Sequence, residues 1–169
     1  MRSCTERGRR YVERLWIEER YRRYIFHESM GEIPMDKDEA TERIAQSPYH
    51  QFLGLSVDTF EEGHVELHAP FRDEFRRDDS SIHGGVLASL IDIAATYATI
   101  SAVDSGVPTV NLEVDYIRPT SPTDLVVEGT TIRAGSTIAL ARSEVRQEYE
   151  GRLTTVACGR GLFSTAHLD

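Results

Sequence analysis

The sequence predicts an α+β domain in which an antiparallel sheet packs on one long, buried helix. Three observations carry that prediction. An apolar segment with a 3.6-residue period runs over residues 84–101. Two short alternating segments precede it and four follow it. The later segments are separated by turn-forming clusters and not by further helices, so hairpins replace crossovers.

Taken in order, residues 8–28 read as a helix in which Tyr11, Leu15, Trp16 and Ile25 interrupt a surface of Arg and Glu. It is either a solvated helix laced with short-range ion pairs or a helix that docks on the core or on a partner chain. Gly31 and Pro34 punctuate a loop, and a second helix is expected over 38–46, where Pro48 keeps it from continuing. From Phe52 the period shortens to two. Leu53, Leu55 and Val57, then Val65, Leu67 and Ala69 beyond Glu61-Glu62-Gly63, predict a hairpin. Residues 73–81 are polar and read as a loop leading to the central helix. On that helix Leu87, Leu90, Ile91, Ala94, Ala95 and Ala98 form a broad apolar face, and its alanines permit close approach by a sheet. Strands are then expected over 110–116, with Val110, Leu112, Val114 and Tyr116 on one face, and over 125–133, 138–148 and 152–164. One helix covers only part of such a sheet, so the remaining apolar surface and a free edge predict a homo-oligomer. The expected division is an N-terminal helical extension at 1–46 and a sheet-and-helix domain at 47–165.

Composition sets the outer bounds. A chain of 169 residues has room for one sizeable core. Apolar residues at 40% and charged residues at 28% fit a soluble globular protein, and a net charge of −9 argues against a broad nucleic-acid surface. Cys4 and Cys158 form no ligand cluster, and the opening Met1-Arg2-Ser3-Cys4 lacks the apolar run of a signal peptide. The apolar stretches read as short of the roughly 20 residues that cross a membrane. A cytoplasmic location with no membrane partner is therefore expected. His64 and His68 share a strand face without a third ligand, so no metal site is expected.

The chemistry concentrates at His83-Gly84-Gly85 and Asp92. Glycines let a backbone approach a ligand without an intervening Cβ, and N–H groups in the first turn of a helix lack intrahelical partners. Such donors stabilise a developing oxyanion; the alternative is a purely steric loop-to-helix turn. Asp92 lies between Ile91 and Ile93, so its carboxylate has a partner, faces water or faces a site. It is a candidate base, or else part of a polar stripe or an intersubunit salt bridge. Around the helix axis Asp92 is only about 20° from Gly85, but seven residues separate them, roughly 10 Å of rise. One small carbonyl cannot meet both on the same helix. If the two act together, a second subunit supplies one of them. Ser89 and Thr96 lie near the same face. His83 is open to three readings: substrate contact, acid or base, or a hydrogen bond at the helix entry. Nucleophile-elbow, phosphate-loop and dinucleotide motifs are missing from the sequence.

These residues resemble the hotdog-fold thioesterase superfamily, especially the phenylacetic-acid-pathway type of acyl-CoA thioesterase. The resemblance runs from Ser47-Pro48-Tyr49 and Phe52-Leu53-Gly54 to about Phe163, leaving the first 45 residues outside it. It is sharpest at His83-Gly84-Gly85 with Asp92 nine positions after the histidine, and at the run from Val110 to Pro119. It implies a helix wrapped by a curved antiparallel sheet, dimers or tetramers, active sites between subunits, and hydrolysis of an acyl-CoA thioester without a separate cofactor. On this pattern Asp92 activates water or attacks the thioester, Gly85 donates its N–H to the oxyanion and Gly84 permits the turn. Asn111 lines the pocket, and Arg118 with Gly135-Ser136-Thr137 contacts coenzyme A. Many relatives carry asparagine six residues before the histidine, where this chain has Arg77. That arginine contacts a coenzyme A phosphate or an acidic acyl group, or the asparagine's role is lost. Other readings of the same pattern are a hydratase or dehydratase and a non-catalytic acyl-CoA-binding protein. Tyr97, Tyr116 and Ile117 are candidate pocket residues, and the acyl group is left open.

Overall fold

The computed structural model describes residues 35–166. The helix expected over 8–28, the loop at Gly31 and Pro34, and Cys4 lie outside the described residues.

The described chain begins with α1 (Lys37–Gln46), capped by the Asp36 carboxylate on the Glu39 N–H at 2.9 Å. Ala40 and Ile44, four apart on one face, are buried, and the helix packs on the first strand. A second, short helix α2 (Pro48–Leu53) follows after one residue. Here the structure corrects the sequence reading, which placed Phe52 and Leu53 in a strand. Pro48 does stop α1, but it opens a new helix at N1, where its missing N–H costs nothing. Gly54, at φ 70°, ends α2 in the left-handed region.

The strands are β1 (Ser56–Glu61), β2 (His64–Ala69), β3 (Thr109–Tyr116), β4 (Leu125–Ala134), β5 (Ile138–Tyr149) and β6 (Arg152–Ser164). They form one antiparallel sheet in the order β1-β2-β4-β5-β6-β3. Between β2 and β3 runs the central helix α3 (Gly84–Val103). This is the α+β hotdog arrangement: a curved sheet wrapped around one long helix.

All six residues of the predicted apolar face are buried, and so are Ile93, Tyr97, Thr99 and Ile100. Burial continues around the helix because α2 covers a second side: Leu53 is fully buried and the His50 ring meets Tyr97 edge-on at 5.9 Å. A helix enclosed on most sides is apolar all round, and that is how a core helix reaches 20 residues of near-spanning composition. The expectation that every apolar stretch falls well short of that length is therefore corrected. Close packing fixes the helix against the sheet. A Cβ on Gly129 of β4 would lie 2.2 Å from the Ala94 carbonyl oxygen, and one on Gly159 of β6 would lie 2.8 Å from the Ile91 side chain. β3 sits at the sheet edge, with Val110 and Tyr116 exposed.

Candidate active site

The predicted helix entry is built by three local interactions. His83 is extended (φ −63°, ψ 133°) and caps α3 with its own side chain, its Nδ1 accepting the Gly85 N–H at 2.9 Å. That bond puts the ring proton on Nε2. The His83 N–H donates to the Phe75 carbonyl at 2.7 Å, closing the polar loop 76–82 into a tight excursion. The Tyr116 hydroxyl, from the end of β3, donates to the Gly84 carbonyl at 3.1 Å. A Cβ on Gly84 would lie 3.1 Å from the Tyr116 ring, so glycine there makes room for the tyrosine. The Gly84–Gly85 peptide is consequently held at both ends, its C=O by Tyr116 and its N–H by His83. The Gly84 N–H has no acceptor among the described residues. Of the three readings open for His83, the structure shows the helix-entry bond.

Two turns further along α3, Asp92 is half-buried. Its Oδ1 accepts the Thr109 hydroxyl at 2.9 Å. Burial holds the Asp92 carboxyl above the ordinary aspartate value, and the Thr109 hydrogen bond opposes that shift without cancelling it. Thr109 went unpredicted. It opens β3, where the pairing with β6 slips between Thr109 and Asn111, and such an irregularity re-aims a side chain. Only the strand register brings it to a residue 17 positions earlier, and local patterning carries no signal for that. Ser89 lies on the same helix face; its Oγ donates to the Gly85 carbonyl at 2.9 Å and shares a 2.7 Å hydrogen bond with the Tyr49 hydroxyl.

The remaining predicted residues do not converge within one chain. Asn111 is exposed on β3, and its side chain makes no hydrogen bond among the described residues. Arg77 is exposed and pairs with Asp79 at 3.8 Å. Arg118 donates to the Thr155 carbonyl at 2.8 Å. The Gly135-Ser136-Thr137 turn is stitched to the other end of β6, the Thr137 carbonyl accepting from the Thr165 N–H at 3.0 Å. Thr155 and Thr165 are ten positions apart along near-extended chain, about 30 Å. Arg118 and the turn of the same subunit therefore cannot grip one phosphate. Tyr97 is a core residue, whereas Tyr116 and Ile117 are exposed beside the helix entry. Among the described residues no cluster of His, Cys, Asp or Glu has the makings of a metal site.

A helix start with paired glycines, a half-buried carboxylate two turns on and an encircling antiparallel sheet make up a hotdog-type scaffold. Comparison with known proteins agrees with this class. Residues 80–154 match the thioesterase superfamily model. A Halobacterium salinarum protein named as a candidate esterase is 34% identical over 122 residues, covering 66% of this chain and 80% of that one. The medium/long-chain acyl-CoA thioesterase YigI of Salmonella typhimurium is 30% identical over 124 residues, 62% of this chain and 79% of that one. A crystal structure from the thioesterase superfamily superposes with a TM-score of 0.69 at 35% identity, covering 76% of this chain and 96% of that one. The PaaI protein of the Escherichia coli phenylacetic acid degradation operon shares the fold, with a TM-score of 0.69 at 22% identity. The chain belongs to the thioesterase superfamily.

Proposed function

We propose that the protein hydrolyses an acyl-CoA thioester to the free acid and coenzyme A. The observation that carries this reading is the Asp92 carboxylate. It is half-buried, above its ordinary pKa, oriented by Thr109, and on the helix face that begins at the paired glycines. Asp92 accepts a proton from water as the water oxygen attacks the thioester carbonyl, and the thiolate of coenzyme A leaves. Attack by the carboxylate itself, through an anhydride, uses the same residue. The charge developing on the carbonyl oxygen is met by the helix-start amides. The Gly84 N–H is already open, and the Gly85 N–H becomes available when the His83 ring turns away.

The 10 Å of rise separating these donors from Asp92 supports a site shared between subunits, with the exposed edge of β3 as the surface through which two copies meet. Self-association also answers the 30 Å problem, because Arg118 of one copy and the Gly135-Ser136-Thr137 turn of another can then approach one coenzyme A. Asn111 and Arg77 belong to this proposed substrate surface, Asn111 near Thr109 and Arg77 in the loop before His83. The YigI relatives, named for medium- and long-chain acyl-CoA, support the substrate class, and the phenylacetic-acid type shares the same scaffold.

The test is thiol release from acetyl-, medium-chain, long-chain and aryl-CoA thioesters by wild type and by Asp92→Asn. Turnover falling at least about 100-fold in the variant is expected for loss of a general base. Bound acyl-CoA with no turnover by wild type would instead favour a binding protein.

A further inference from the structure

We infer that Tyr49 and Phe52 form the wall that holds the acyl chain, and that they select acyl groups with an extended apolar tail over acetyl. The inference rests on the proposed acyl-CoA site and assigns its specificity.

Both side chains are on α2, three residues apart and so on one face. Both are close to half exposed, at 49% and 45%, so each ring keeps a face open to a ligand. Their rings lie nearly parallel, with centroids 6.2 Å apart, and Phe52 meets the buried Phe75 edge-on at 5.8 Å. The row is tied to the candidate site at both ends. At one end the Tyr49 hydroxyl bonds Ser89, one turn before Asp92 on the same helix face. At the other end the Phe75 carbonyl accepts the His83 N–H. An apolar strip on α2 therefore borders the candidate site, reaching α3 at Ser89 and the helix entry through Phe75. An acyl chain whose carbonyl sits at the helix entry runs onto this strip. A two-carbon acyl group is too short to cover ring centres with these spacings, whereas a chain of about eight carbons can lie across them.

The Phe52 ring carries no polar group and the Tyr49 hydroxyl is engaged by Ser89, so the strip offers mainly apolar area. Each methylene laid on it then strengthens binding by up to about fourfold. Affinity therefore climbs with chain length as the chain extends across the ring pair.

The experiment measures binding of non-hydrolysable acyl-CoA thioethers with two, four, six, eight and ten acyl carbons by calorimetry. It uses the full chain as wild type, Phe52→Ala, Phe52→Leu and Tyr49→Ala. Circular dichroism and molar mass are checked for each. Wild-type affinity rising with chain length, and a dependence flattened in Phe52→Ala and Tyr49→Ala but largely restored in Phe52→Leu, is the expected result. A chain-length dependence equally steep in wild type and Phe52→Ala overturns the inference. So does a change in molar mass with that dependence intact, which would make the strip a contact between copies. Because binding is read without turnover, absence of hydrolysis in the thioester panel would sink the thioesterase reading alone.

Discussion

Asp92 is held at a cost, and the cost is measurable. Because burial raises its folded-state value, the unfolded chain releases this proton first as pH climbs through 3.8, the ordinary aspartate value. The native state loses relative stability across that window. Asp92→Asn removes the charge and keeps the shape, so at neutral pH the variant melts above wild type while losing turnover. The gap closes below pH 3.8, where both forms are neutral; thermal scans across pH check this. The same shift predicts that the hydrolysis rate rises with pH through an apparent value above that of an ordinary aspartate. Thr109→Val removes the bond that both favours the charged form and orients the carboxylate. The acid limb of the pH–rate profile therefore moves upward and, for want of that orientation, turnover on the plateau falls about tenfold, with Thr109→Ser restoring both. How legible this site was differs by residue. Glycines before a helix and a lone carboxylate among isoleucines declare themselves locally. Thr109 does not, because a threonine at a strand start carries no mark of the helix it will face.

At the level of elements, the hairpins and the central helix were readable because each repeats one period over many residues. The last strand, Arg152–Ser164, was read with both boundaries correct. The error at Phe52 and Leu53 has a definite cause. In six residues an alternating apolar pattern and a short helix are indistinguishable, and Pro48, which reads as an end, is also a beginning. Glycine placement at the sheet was equally invisible from sequence. Gly129 reads as a weak point in a strand, yet the structure makes it the seat of α3. Gly129→Ala drives a methyl into the Ala94 carbonyl, with the Ala95 amide nitrogen 3.1 Å from the same Cβ position, so backbone and not a flexible side chain must move. A loss of about 3 kcal/mol or more in denaturant titration is expected. Gly151→Ala tests how much of such a loss is generic to glycine. A Cβ there meets nothing within 4 Å, so only the strain of its positive φ remains.

For the whole molecule, the question is whether one chain makes a site. Two variants expected to lose turnover answer it: Asp92→Asn, and Gly85→Pro, which deletes one of the two proposed oxyanion donors where the first turn of a helix tolerates proline. A mixed dimer of the two has one intact Asp92 and one intact Gly85, on different chains. If sites are shared across the interface, one complete site forms and activity returns in the mixture. If each chain makes its own site, the mixture stays dead; co-expression with two tags and assay of the purified heterodimer separates these outcomes. The outer face of the sheet has a different character. Arg146 of β5 bridges Glu66 and Glu128 at 2.8 and 2.9 Å across β2, β4 and β5. Charge partly screened from water and shared by three strands fastens neighbours in register. That leaves the unpaired edge of β3, where Val110 and Tyr116 are exposed, as the better place for a second copy.

One buried side chain reaches the helix entry without touching it. Gln147 of β5 is 3% exposed and grips the loop after β3, accepting from the Ser121 N–H at 2.9 Å and donating to the Ser121 carbonyl at 2.8 Å. The neighbouring Thr120 hydroxyl accepts the Ile82 N–H at 2.9 Å, one residue before His83. The pose of the capping histidine is thus inherited from a strand in the middle of the sheet. For directed evolution this means that a library confined to groups within reach of substrate omits an adjustable screw. Positions 120, 121 and 147 belong in it, and variants found there should alter rate while leaving acyl preference where it was.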